Sequence, residues 1–246
     1  MLSLLALCTA AVLVVIVVMI RDFGRPPTVT QPAALAVSSP VSSSAAPSAT
    51  ASPRTKVSPS PAVIGAGHEV SDTSSGLSYQ LLGSSWRRGC PLELNTPMFS
   101  WSAGENAVAG QVVIDGSTID WHGDACSGQL QQQFQYSGAA DLEPTAISLV
   151  GALDPAYYTG LVHGRTIEAS SALQVSGHQA WMVKFLMTYT DAASEGLRWS
   201  TELGAVVVVD RGTGDAPAVF YVSVPASLGT ANVTALIDSL RLSSPS

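Results

Sequence analysis

The sequence predicts an α+β domain, an antiparallel β-sheet covered by helices, preceded by a single N-terminal transmembrane helix and a disordered linker. Three observations predict it. Met1 to Ile20 is one uncharged apolar run, Arg21 to Pro61 is dominated by Ser, Ala, Thr and Pro, and only the remainder alternates strand-like and helix-like apolar patterns. The expected division is a membrane anchor at 1–20, a linker at 21–75 and an extracytoplasmic α+β domain at 76–246.

An apolar run of about 20 residues rising 1.5 Å each matches a hydrocarbon core roughly 30 Å thick. No basic residue precedes the run, and bulky side chains continue to Arg21, which argues for a retained anchor over a cleaved signal peptide. Lipidation at Cys8 is not expected, because Leu7 stands where a small residue is needed. Arg21 and Arg25 flank the run on its C-terminal side, and the positive-inside rule alone would hold the domain inside. The linker composition and a cysteine pair point outside, and a basic stretch upstream of Met1 is the expected resolution.

Residues 26–61 hold 8 Pro, 13 Ser or Thr and 7 Ala among 36 positions, with no aromatic side chain. Such a segment buries too little apolar surface to offset its ordering entropy. It reaches from roughly 35 Å as a coil to roughly 110 Å if wholly polyproline-like.

The domain from Gly76 to Ser246 carries 15 Asp or Glu against 7 Lys or Arg, with Lys184 its one lysine. That balance repels a phosphate backbone, so no nucleic-acid partner is expected. Cys90 and Cys126 are its only cysteines, an even pair that suits a disulfide in an oxidising compartment. No CxxC or HxxxH spacing is present, and neither metal nor other cofactor is expected.

Leu77 to Leu82 reads as a short strand, interrupted by Gly and Pro in Trp86 to Pro91. Ala107–Ile114 and Thr118–Trp121 read as a hairpin turned at Asp115-Gly116. Gly128 to Tyr136 fits strand or helix. From Thr145 to Leu153 the apolar residues Ala146, Leu149, Val150 and Leu153 recur at helical spacing, with Pro144 at the start and Pro155 expected just beyond the end. Ile167, Ala169, Leu173 and Val175 alternate as one strand face, and Ser176-Gly177-His178 turns the chain. Ala180 to Tyr189 is nearly continuously apolar, as a central strand covered on both faces would be. Trp199–Val209 and Val219–Val224 continue an antiparallel meander. Val233, Leu236, Ile237 and Leu240 then predict a closing helix over Ala231–Leu242 that Thr230 caps.

The opening strand ending near a Trp (LSYQLLGSSW), the mid-domain helix, the strand starting GHQAWMVKF and the final helix ending in DSLRL resemble the PsbP-like α/β/α sandwich family. Similar domains occur in actinobacterial cell-envelope proteins of the LpqN type, in extrinsic subunits of photosystem II and in a Ran-binding nuclear import factor. The resemblance implies a scaffold, accessory or ligand-binding module, not an enzyme. The chain departs from the envelope lipoproteins at Cys8, and the Cys90–Cys126 pair is not expected across the fold.

No GxSxG turn, HExxH helix, P-loop or dinucleotide-binding glycine pattern is present. The one enzyme candidate is Asp120, His122 and Asp124 in DWHGD, where a His between carboxylates could act as a base or help hold a cation; a polar edge turn just after a hairpin strand explains them equally. His163 and His178 sit beside turn glycines and read as ordinary turn residues. Trp181 is expected in the core. Trp86 and Trp101, in irregular segments either side of Cys90, are the candidate ligand-stacking aromatics, and the adjacent Arg87 and Arg88 are candidates to hold an anionic group. The expected partners are the membrane, through residues 1–20, and an envelope protein, glycan or lipid. The expected function is a non-catalytic accessory or binding module of the cell envelope, the alternative an envelope hydrolase or metal-dependent enzyme.

Overall fold

The computed structural model describes residues 69–114, 116–212 and 214–243, so the expected anchor and residues 21–68 of the expected linker lie outside the described residues. Among the described residues no helix is long and apolar enough to cross a membrane. The folded chain starts earlier than the expected boundary at Gly76. Strand β1 (Glu69–Ser71) pairs with β2 (Leu77–Gln80), and Asp72 fastens the turn between them by accepting from Ser75 Oγ at 2.6 Å and Ser102 Oγ at 2.7 Å. Burial pushes the Asp72 carboxyl up, but these hydroxyls and the Ser75 amide outweigh it and hold it below its ordinary value.

The main sheet has seven antiparallel strands in the order β3-β4-β5-β9-β8-β7-β6. These are β3 (Arg87–Arg88), β4 (Ala103–Ile114), β5 (Ser117–Gln129), β6 (His163–Val175), β7 (His178–Tyr189), β8 (Thr201–Val209) and β9 (Ala218–Pro225). Helix α1 (Leu142–Tyr157) covers one face. The other face carries helix α2 (Ala231–Ser239) and a three-stranded sheet, β1-β2-β10, whose last strand is Arg241–Leu242. The predicted antiparallel sheet between helices is therefore present, with a small second sheet added on the α2 side.

Period-two geometry sends alternate side chains of β8 to opposite cores. Val206 and Val208 pack on the α1 side, while Ala205, Val207 and Val209 pack on the α2 side. The doubly covered centre is thus β8 and β9, and not the 180–189 run. Strand β7 lies one in from the edge, and Met182, Lys184 and Leu186 stay half-buried on the face that α2 leaves uncovered.

Several local expectations shift. The hairpin at Gly116 (φ 77°) forms, but its second strand runs on to Gln129. A bulge at Glu168 breaks the single face assigned to Ile167, Ala169, Leu173 and Val175. Ile167 stands beside Phe185 of the α1-side core, whereas Leu173 and Val175 belong to the α2-side core; one extra residue reverses the alternation. Ser176 (φ 52°) and Gly177 (φ 84°) then make the two-residue turn. Helix α1 continues through Pro155, which sits in its last turn, where little of the hydrogen-bond ladder remains to be broken. Thr230 makes no side-chain cap, and α2 stops at Ser239 because Arg241–Leu242 leave to pair with β2. Trp181 is half-buried, its Nε1 donating to Ser170 Oγ at 2.9 Å.

Cys90 and Cys126 form the expected disulfide, with Cα atoms 5.6 Å apart. It ties the segment after the edge strand β3 to the C-terminal part of β5. Gly104 lies directly under the bridge, where an added Cβ would stand 2.8 Å from the Ala125 carbonyl oxygen and 2.9 Å from Cys90 Cβ. Gly104→Ala is expected to lower stability by about 1–3 kcal/mol through overpacking, read as a fall in the urea midpoint; an unchanged midpoint would show that the strand pair yields freely.

Candidate functional site: an acidic, aromatic recess

Helix α1 packs over β6, β7 and β8, and beside its C-terminal end lies a recess of about 140 Å³. Its floor is the α1-side face of β5, β8 and β9, through Asp124, Glu202 and Tyr221; Tyr157 and Tyr158 close it from the helix end. The 3-10 turn Leu92–Leu94 adds Glu93 and Leu94 at the rim.

At its back, Glu202 is buried and fully engaged. Its Oε2 accepts from Trp121 Nε1 and from Tyr189 OH, each at 2.9 Å, and its Oε1 accepts a short hydrogen bond from Ser223 Oγ. Proton accounting fixes the remaining directions, since a hydroxyl has one proton to donate. Ser223 gives its proton to Glu202, so Tyr158 donates to Ser223 at 2.9 Å, and Tyr221 in turn donates to Tyr158 at 2.9 Å. Burial pushes the Glu202 carboxyl above its ordinary value, and the Ser223, Trp121 and tyrosine donors act against that push. The buried phenols of Tyr158 and Tyr221 are driven well up by burial and by neighbouring groups, so both stay neutral.

Asp124 differs. It is 7 % exposed, and its Oδ1 meets no hydrogen-bond donor among the described residues. Burial, then the charges of Glu202 and Glu93, push its carboxyl well above the ordinary carboxylate range. Two carboxyl groups in one low-dielectric corner each disfavour the other's ionisation. Perturbed groups lining a concavity mark it as the candidate site. Two larger depressions, about 470 and 660 Å³, border the 131–138 loop and are lined by glutamine, serine and glycine residues together with Phe134, Tyr136, Asp141, Asp210 and Asp215.

The DWHGD residues are not in an edge turn. They lie within β5, paired to β4 on one side and, from Asp124 onward, to β9 on the other. His122 and Asp124 share the α1-side face by period-two spacing. The bulge between Val108 and Gly110 on the neighbouring strand reverses the alternation, so that Trp121 and not Asp120 continues that face; all four residues border the recess. Asp120 is exposed and accepts from Gln111 Nε2 at 3.0 Å, while His122 is half-buried. Among the described residues no three His, Cys, Asp or Glu side chains form a set able to hold a metal ion.

The aromatic candidates sit inside the fold. Trp86, 7 % exposed, belongs to the α2-side core, where its ring would lie 3.2 Å from a Cβ at Gly123. Trp101, 9 % exposed, stacks between Phe99 and Tyr221 with centroids 5.8 Å from each, and its Nε1 donates to Tyr157 OH at 2.9 Å. Neither offers an open face for stacking. The segments that carry them look irregular in sequence but are drawn inward by β3 pairing and by the disulfide. Arg87 and Arg88 are exposed on β3, and Arg88 stands opposite Glu105. Of the sequence candidates, only Asp120, His122 and Asp124 reach the recess. Glu202, Tyr158, Tyr221 and Ser223 were not singled out. One signal was available: Glu202 is the sole charge in TELGAVVVV and shares the inward period of Val206 and Val208.

No protein-family model matches the chain, and no curated protein sequence matches it. Among solved structures it is similar to the solution structure of cyanobacterial PsbP (CyanoP) from Synechocystis sp. PCC 6803, at 9% identity and a TM-score of 0.44, over 71% of this chain and 91% of that one. A likeness that loose carries no inference about function.

Proposed function

We propose that this chain is a membrane-anchored, extracytoplasmic accessory or binding module of the cell envelope, non-catalytic, with a fold of the PsbP-like type found in LpqN-type envelope proteins. The apolar run at 1–20 supports an anchor, and the Pro- and Ser-rich tract supports a spacer that lifts the domain away from the membrane. A buried disulfide supports an oxidising compartment.

One observation carries the binding reading. The recess presents a buried carboxyl group with an unpartnered oxygen among aromatic rings, while the hydroxyls beside it are already committed. A nucleophilic hydroxyl needs a base free to take its proton and an approach for substrate. The Ser223 proton is held by Glu202, and its oxygen is occupied by Tyr158. The partner is an envelope protein, glycan or lipid that places a group in this corner.

Capture from native membranes tests the reading. The full chain, Asp124→Asn and His122→Ala are used as baits side by side. A binding module retains its partner in the wild type, loses it in Asp124→Asn, and shows no turnover for His122→Ala to abolish. Turnover of an ester, amide or glycoside panel that disappears in His122→Ala would establish the hydrolase alternative instead.

A further inference from the structure

The corner beyond α1 gathers carboxyl groups with no cationic side chain among the residues that line it. Asp124 and Glu202 lie in its floor, Glu93 stands exposed at its rim, and neither Lys nor Arg lines it. Glu202 is satisfied by indole and hydroxyl donors. Asp124, 7 % exposed, keeps an oxygen without a donor. Leaving such an oxygen unpaired away from water is costly, and the cost is removed by a group that brings both a positive charge and N–H donors.

The walls select the kind of cation. Trp121, Tyr157, Tyr158 and Tyr221 line the corner, and aromatic rings attract organic cations while tolerating their carbon atoms. A hard divalent ion wants about six oxygen ligands, whereas the described residues offer no three-ligand set. The volume of about 140 Å³ equals roughly four to five water molecules at ~30 Å³ each, room for a small head group.

We infer that this recess binds an ammonium group on a short alkyl stem, with Asp124 as its buried anionic partner, Glu93 as its outer one, and the aromatic side chains around its carbon atoms. The inference rests on the reading of the chain as a binding module and names the chemistry that module takes. The ammonium group belongs either to a free amine or to a lipid head group.

Calorimetric titration of the full chain distinguishes these. Ethylammonium chloride is the probe, with ethanol as the neutral match, potassium chloride as the ionic-strength match and glycerophosphoethanolamine as the soluble head-group probe. The expected result is saturable binding of ethylammonium and of glycerophosphoethanolamine but not of ethanol or potassium chloride. Asp124→Asn is expected to weaken binding at least tenfold, with unchanged near-ultraviolet circular dichroism. Glu93→Gln, an exposed substitution that leaves the fold intact, is expected to weaken it a few-fold. Tighter binding of glycerophosphoethanolamine supports the site and assigns its ligand to lipid head groups; the reverse order supports it and assigns free amines. Ethanol binding as tightly as ethylammonium, or Glu93→Gln and folded Asp124→Asn both binding like the wild type, overturns the inference. Absence of ethylammonium binding while Asp124-dependent membrane capture persists also overturns it, and leaves the binding-module reading standing.

Discussion

Replacing Cys90 and Cys126 together by Ala lowers the stability of the folded unit by about 3–4 kcal/mol. The bridge closes a loop 36 residues apart in sequence, and in the loop-entropy model a closure of that length restricts the unfolded chain by about that amount. The bond's position adds to the effect. Its inner end, Cys126, is wholly buried in the α1-side core, and its outer end holds the segment between β3, an edge strand of two residues, and the 3-10 turn. That turn supplies Glu93 and Leu94 to the recess, so losing the bond loosens the rim as well as the fold. Urea unfolding of the oxidised wild type, the reduced wild type and the double variant measures it. The two bridge-free forms should unfold at similar, lower midpoints; midpoints equal to the oxidised protein would mean that β3 pairing and core packing hold the segment unaided.

The second large effect is a pH dependence centred on Glu105. This side chain is 0 % exposed in β4; its Oε2 accepts from the Leu82 amide at 2.9 Å, and its Oε1 meets no donor among the described residues. Burial pushes its carboxyl from 4.5 up to about 7, against the opposing Leu82 hydrogen bond and the charge of Arg88. A folded-state value above the unfolded one means that the folded protein holds the proton more tightly. The contribution to stability is therefore full below about 4.5 and is lost as pH rises towards about 7. Linkage puts the loss at about 3 kcal/mol at most. Glu105→Gln keeps an acceptor for Leu82 and cannot ionise, so it should match the wild type at acid pH and exceed it in the alkaline range. Asp72 acts with the opposite sign. Its folded value is lowered, so its contribution is present above its ordinary value of 3.8 and fades as pH falls through the folded value. Because Asp72 is common to both proteins, the difference between them isolates Glu105. Parallel stability profiles from acid to alkaline pH would contradict the assignment.

The strands and helices that carry their own periodicity were legible. The turns at Gly116 and at Ser176-Gly177 marked two hairpins, and apolar spacing located α1 and the core of α2. What escaped the sequence depends on distant pairing. Strand β3 is two residues long and exists because β4 lies beside it, and β10 ends α2 early only because β2 offers a free edge. The bulge at Glu168 has no local signature, yet it moves Ile167 to the other face. The recess divides the same way. Asp124 and His122 stood out because they are adjacent charges in one strand, whereas Glu202, Ser223 and Tyr158 meet them only through the order β5-β9-β8 and the end of α1. Trp86 and Trp101 misled because a tryptophan in an irregular segment reads as exposed until its long-range packing is known.

The central claim, that the corner holding Asp124 and Glu202 is where this chain takes its ligand, is tested most directly at Trp121. That indole lines the recess and donates to Glu202 at 2.9 Å, so its Nε1–H resonance reports on the corner itself. In a nitrogen-15 spectrum of the full chain, assigned through Trp121→Phe, ethylammonium should shift this resonance saturably. The Trp86 indole, buried in the α2-side core, should hold still, and Asp124→Asn should abolish the shift. A Trp121 resonance that does not move, or that moves equally in Asp124→Asn, would contradict the claim.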